Sequence, residues 1–175
     1  MSNGRVIAET ERLIIREMTT DDAAFVLELI NTPKFHQFIG DRGVRTVAEA
    51  EQYIEERFLA NQRKHGFGMF AVCLRDGTPI GNCGFVRRET LAGPDIGFAF
   101  LPEYEGKGYG FESAEAMMRY GRETLGFEQV YAITSLDNDA SIRLLEKLGM
   151  RLQTVIEQNG ERLNLFHIHV ASADS

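Results

Sequence analysis

The segment Glu105-Gly106-Lys107-Gly108-Tyr109-Gly110 carries the clearest chemical signal in the chain. Its glycines let successive backbone N–H groups converge without Cβ clashes. A helix start follows, adding unsatisfied N–H groups and the positive end of a dipole, so the segment suits an anion such as pyrophosphate. The same glycines also suit a plain tight turn. Spacing removes two carriers. Lys107 is followed by Gly108 and not Ser or Thr, so the loop is not a Walker loop. The last interval of Gly106-x-Gly108-x-Gly110 is wrong for a dinucleotide fingerprint. His167 and His169 share one strand face, but no third ligand is evident and no metal is expected. Cys73 and Cys83 lack metal-type spacing and sit among apolar neighbours, so reduced core thiols are expected.

The elements that must position this loop follow from periodicity. Leu13 to Ile15 reads as a first strand. Thr19 with Asp22, and Thr46 with Glu49, have capping-box spacing and open two helices, the second running to about Lys64. Residues 31–45 show turn residues without a period and read as a loop. Met69 to Leu74 and Ile80 to Val86 flank Asp76-Gly77 as a hairpin, and Ile96 to Leu101 is a central strand. A helix from about Phe111 to Leu125, a strand from Val130 to Thr134 and a helix capped by Asn138 follow. Asn159-Gly160 predicts a type I′ turn between Leu152–Ile156 and Leu163–Val170. Strand–helix–strand order occurs twice in this half and implies parallel neighbours there.

The 175 residues suit one domain spanning 1–175. Nineteen Lys plus Arg against twenty-six Asp plus Glu give −7, which speaks against a nucleic-acid backbone or an anionic membrane as partner. The first residues lack a secretory pattern and no apolar run is long enough to span a membrane, so a cytoplasmic protein is expected.

The stretch from Leu101 through Gly110, between strand and helix, resembles the acetyl-coenzyme A signature of the GNAT N-acetyltransferase superfamily, Gln/Arg-x-x-Gly-x-Gly/Ala. Gly108 and Gly110 match; Glu105 departs at the first position. Asn138-Asp139-Ala140-Ser141 with Leu144-Leu145-Glu146-Lys147-Leu148-Gly149 is similar to a second family segment. Glu9-Thr10-Glu11-Arg12-Leu13 resembles the opening of the branch with the ribosomal-protein N-terminal (RimJ/RimL-type) acetyltransferases. The likeness covers about residues 9 to 170.

The resemblance implies an α/β (α+β) fold: a mixed, twisted, mostly antiparallel sheet of about seven strands with a central parallel pair and helices on both faces. It implies acetyl-coenzyme A as cosubstrate, without metal, and direct attack by a primary amine. The coenzyme would be held by Phe98, Phe100, Leu101, Gly106, Lys107, Gly108, Tyr109, Gly110, Asn138 and Ser141, with a backbone N–H between Phe98 and Leu101 as oxyanion donor. Asp95 stands where the branch often carries a Glu base; it also suits a cap of the turn after Gly93-Pro94. Glu103 is a second candidate base. The family's Tyr acid corresponds to Leu145, which cannot donate, so Ser141 takes that role on resemblance, beside its suitability for a helix first turn. His36 lies in a region that lines the acceptor side in the family and is a candidate substrate contact.

An α-amine of pKa about 8 costs about 1.4 kcal/mol to deprotonate at pH 7, and a lysine of about 10.4 costs about 4.6. With at best one turn carboxylate as base, a protein N-terminal α-amine is the expected acceptor. A polyamine, amino acid or antibiotic amine competes with it, and a catalytically silent acyl-coenzyme A module is the reading of another class. The assembly is a monomer or homodimer. The acidic surplus is free to lie on the acceptor side, where a cationic amine arrives.

Overall fold

A computed structural model describes residues 4–170. Residues 1–3 and 171–175, the ends of the expected 1–175 domain, lie outside the described residues. Among the described residues, one sheet of eight strands organises the fold, in the order β1-β2-β3-β4-β5-β6-β8-β7. The strands are β1 (Val6–Glu9), β2 (Leu13–Arg16), β3 (Met69–Leu74), β4 (Pro79–Val86), β5 (Asp95–Phe100), β6 (Gln129–Ser135), β7 (Arg151–Gln158) and β8 (Glu161–His169). All neighbours are antiparallel except β5 and β6. The helices are α1 (Ala23–Leu29), α2 (Pro33–Phe38), α3 (Val47–Tyr53), α4 (Ala60–His65), α5 (Tyr109–Glu123) and α6 (Asp139–Lys147). A π-helical stretch, Ile54–Leu59, joins α3 to α4 into the one long helix that the sequence predicts.

Period-two alternation builds two cores on the faces of this sheet. Phe70, Val72, Cys83, Phe85 and Ile96 face α5 and α6 with Met117 and Leu145. Ala71 and Cys73 turn the other way, onto Val26, Ile30, Ala50 and Ile54 of the first helices. The Thr19 capping box forms with both of its hydrogen bonds. At the Asn159-Gly160 turn both residues have positive φ, 52° and 78°, as a type I′ turn requires. No described helix is long and apolar enough to cross a membrane.

Three expectations are corrected. The sheet has an eighth strand, β1, whose four residues carry no alternation to reveal it. Residues 31–45 are not all loop: Thr32 caps α2 by accepting from the Phe35 N–H, with Pro33 in the first turn, a start signal hidden by the helix's brevity. The second strand–helix–strand unit does not give parallel neighbours, because β8 inserts between β6 and β7. The strand with the buried run Asn164-Leu165-Phe166 takes the inner slot, and β7, exposed along most of its length, is left at the edge.

Candidate active site

The central strand β5 has one satisfied edge and one open edge. Toward β4 it pairs in full register from Asp95↔Val86 to Phe100↔Gly81, and the Leu101 N–H continues the ladder to the Ile80 carbonyl at 2.9 Å. Toward β6 it pairs only at Asp95↔Tyr131, where the Tyr131 N–H donates to the Pro94 carbonyl at 2.9 Å. Beyond that point the parallel strands separate. Antiparallel ladders alternate the direction of N–H groups, so Leu101, Ala99 and Gly97 point toward β4 while Phe98 and Phe100 point into the gap. The structure therefore narrows the sequence-predicted donor: Phe98 and Phe100 have free backbone edges, and the Leu101 amide is taken.

The glycine loop lies at the far end of β5. Gly106 and Gly108 hold φ of 74° and 86°, a region that favours glycine, and Gly108 caps α5. Tyr109, Gly110 and Phe111 are thereby left in the first turn with N–H groups that no helical carbonyl reaches. Gly110 has a different reason to be glycine: a Cβ there would stand 2.9 Å from Leu144 Cδ1, so it lets α5 approach α6. Lys107 is exposed, and its carbonyl accepts from Arg12 Nη1 at 3.0 Å. Arg12 also donates to Glu112 Oε1 at 2.7 Å and lies over the Tyr109 ring at 4.4 Å. Thr10 adds its hydroxyl to Glu112 at 2.5 Å. The Thr10-Glu11-Arg12 segment thus fixes the loop and the first turn of α5. Glu105 pairs with Lys34 of α2 at 3.2 Å.

A cavity of about 660 Å³ opens beside the separated strands and is lined by Asp95, Phe98, Asn138 and Ser141. Asp95 is 3% exposed and accepts from Arg88 Nε at 2.6 Å, so it is ion-paired at the start of β5 and not simply a turn cap. Burial pushes its pKa up, and the Arg88 charge and hydrogen bond oppose this. Asn138 Oδ1 accepts from the Ser141 N–H at 3.3 Å, placing Ser141 in the first turn of α6 with its side chain half-buried at the cavity. Leu145, fully buried, lines the same cavity.

Two predicted residues lie elsewhere. His36 Nε2 is 3.1 Å from Asn31 Oδ1, and its neighbours Phe35, Phe38 and Ile39 reach the cavity in its place. Glu103 sits exposed in the turn after β5, off the cavity wall.

Sequence reasoning missed Asn82 and Arg88, while His65 lies in a region that, like that of His36, lines the acceptor side in the family. Asn82 lies in β4, is 4% exposed and lines the cavity, yet its buried Oδ1 has no hydrogen-bond partner among the described residues. Its signal is a lone amide within the apolar run Ile80 to Val86. Arg88 could have been read from the reach of a hairpin: it precedes Asp95 by seven residues across the β4–β5 connection. His65 closes α4 and lines the cavity, its ring stacked on Phe67 at 5.8 Å. The acidic surplus is also not on this wall: five Lys and Arg (Arg42, Arg57, Lys64, Arg87, Arg88) face two carboxylates, Glu56 and Asp95.

Comparison with known proteins agrees with this layout. The model of the acetyltransferase (GNAT) domain matches residues 12–151. The uncharacterized N-acetyltransferase YnaD of Bacillus subtilis (strain 168) is 32% identical over 143 residues, 81% of each chain. The ribosomal L7/L12 alpha-N-protein acetyltransferase RimL shares the fold at a TM-score of 0.79 and 16% identity, over 95% of this chain and 94% of that one. The spermidine N-acetyltransferase of Vibrio cholerae, solved with CoA and spermine, shares it at 0.76 and 16%, over 91% and 96%. An open β5 edge, a glycine turn under α5 and a family match over most of the chain converge: the chain belongs to the GNAT acetyltransferase family.

Proposed function

We propose that this acetyltransferase moves the acetyl group of acetyl-coenzyme A onto a protein N-terminal α-amine by direct attack. The observation that carries the reading is the open β5 edge, whose Phe98 N–H faces a cavity that also holds Asp95 and Ser141. The residues fit the coenzyme. Amides of Tyr109, Gly110 and Phe111 suit its pyrophosphate, and the β5–β6 gap, with Phe100 and Asn138, suits an extended arm carrying amide groups. Bound there, it supplies a thioester-activated acetyl group.

The chain's residues divide the remaining work. The Phe98 N–H stabilises charge developing on the acetyl oxygen. Asp95, its pKa raised by burial, takes the ammonium proton through a water at the oxygen that Arg88 leaves free. The Ser141 hydroxyl gives its proton to the departing sulfur and regains one from solvent. The lower cost of deprotonating an α-amine, and the resemblance of the Thr10-Glu11-Arg12-Leu13 opening to the ribosomal-protein branch, support the acceptor.

Thiol release from acetyl-coenzyme A with a panel of peptides, spermidine and amino acids tests this. N-terminal peptides are expected to give the highest kcat/KM. Coenzyme binding without transfer to any amine would instead favour the silent module.

A further inference from the structure

The cavity's charge is opposite in sign to the molecule's. The chain carries −7, yet five of the seven Lys, Arg, Asp and Glu side chains on the cavity wall are cationic. Arg88 is matched by Asp95. Arg42, Arg57, Lys64 and Arg87 have no ion-pair partner among the described residues, the last three of them near the Asp95 half of β5, while Glu56, the other carboxylate on the wall, accepts from Gln52 Nε2 at 2.9 Å.

These cations are in the wrong place for the coenzyme's phosphates. Arg87 adjoins the Asp95 end of β5, where Val86 pairs with Asp95. Arg57 and Lys64 flank the stretch beside Gly68, which neighbours Gly84 and, through it, Gly97. The glycine loop begins beyond Phe100, which at about 3.3 Å per residue lies roughly 17 Å along β5 from the Asp95 end and roughly 10 Å from Gly97. Three unpaired cations at the acceptor end answer to something on the acceptor.

The floor of the cavity offers the complementary group. Asn82 and Ala99 are register partners, so Asn82 shares a sheet face with Ala99, Gly97 and Asp95. A buried amide oxygen without a donor is costly, and an incoming amine N–H would satisfy it.

Building on the acceptor reading above, we infer that the substrate is an amine carrying a nearby carboxylate: its nitrogen sits at Asn82, with Asp95 four residue steps along the same sheet face and reached through water, and its carboxylate lies among Arg57, Lys64 and Arg87. An N-terminal peptide with Asp or Glu in its first few residues has this chemistry, as does a free dicarboxylic amino acid. A polyamine would meet the same cations with its second ammonium and is selected against.

The test compares peptides of one length with acidic, neutral or basic residues at positions two to four, together with free glutamate and spermidine. Acidic peptides are expected to exceed neutral ones in kcat/KM by about tenfold, equivalent to about 1.4 kcal/mol, and to lose that advantage as salt is raised. Replacing Arg57 and Lys64 together by Glu should collapse the acidic preference while coenzyme A affinity, read by calorimetry, stays put. If that pair misfolds, Arg57→Gln and Lys64→Gln singly should each lower the acidic-to-neutral ratio. Asn82→Ala should instead raise KM about fivefold for acidic and neutral peptides alike. A preference for glutamate over every peptide would keep the carboxylate and overturn the polypeptide source. Neutral peptides or spermidine equalling the acidic peptides would overturn the inference and leave acetyl transfer standing. No transfer to any amine, with coenzyme bound, would overturn both.

Discussion

The Arg88–Asp95 pair can be tested by removing its cation. In Arg88→Met the Asp95 carboxylate stays buried without a partner. At an effective dielectric of about 20, unit charges 4 Å apart attract by about 4 kcal/mol. The Asp95 side chain is 5% exposed but that of Arg88 is 40% exposed, so water screens the cation. Halving the figure gives about 2 kcal/mol as the expected loss at pH 7.5. The pH dependence carries the sharper signature. Burial already holds the folded pKa of Asp95 above its ordinary value, so the folded protein binds more protons here than the unfolded chain does. Stability from this group is therefore full at low pH, and it is lost as pH rises from about 3.9, the unfolded value, through the folded pKa. Without Arg88 the folded pKa rises further and the window widens upward. Urea titrations at pH 4.5 and 7.5 should find the variant's deficit small at the lower pH and full at the higher. Asp95→Asn added to Arg88→Met should recover part of the stability at pH 7.5, and the acid limb of kcat/KM should move upward in Arg88→Met alone. A deficit under about 0.5 kcal/mol that is equal at both pH values would refute the reasoning.

Three further outcomes are expected. Ser141→Ala should lower kcat by about tenfold to a hundredfold while coenzyme A affinity changes less than twofold; an unchanged kcat removes Ser141 from the mechanism. Gly108→Ala should lose about 1–2 kcal/mol of stability, because its φ is 86° and the new Cβ would stand 3.2 Å from Arg12 Nη2, and calorimetry should show coenzyme A binding weakened several-fold. The Cys83 thiol, pushed up to about 12 by burial, should resist iodoacetamide at pH 8 in the folded protein and react once it is unfolded, as mass spectrometry would read.

The framework of the site was legible because its signals are local. Gly106 and Gly108 declare left-handed backbone, and Asn138 declares a helix start. The apolar run from Ile96 to Leu101 declares a central strand, and the family resemblance points to a backbone N–H between Phe98 and Leu101 as donor. What was not legible depends on tertiary placement. Asp95 reads as a turn residue until Arg88 is brought to 2.6 Å across a hairpin connection. Asn82 reads as one polar interruption of a strand until the helices close over it and leave its oxygen without a donor. His36 was placed on the acceptor side by its region, but α2 turns its Phe35 and Phe38 to the cavity and leaves the histidine with Asn31. On a helix, a shift of one residue rotates a side chain by about a quarter-turn, so knowing a residue's region does not fix its side.

Glu105 joins the charge pattern to the loop. A carboxylate beside a phosphate site opposes binding, and neither the chain's overall −7 nor the family pattern explains it. Its partner Lys34 sits on α2, the same short helix that sends Phe35 and Phe38 to the cavity. The side chains are 59% and 35% exposed, so the pair adds at most about 1 kcal/mol to folding. Its consequence is local: the Glu105 charge is neutralised by a cation from the acceptor-side helix and not by the ligand. Removing that cation leaves the carboxylate unpaired beside the proposed phosphate site. Lys34→Ala, on this argument, weakens coenzyme A binding by acting through Glu105. Glu105→Gln in the same background restores the binding, because the opposing charge is then gone.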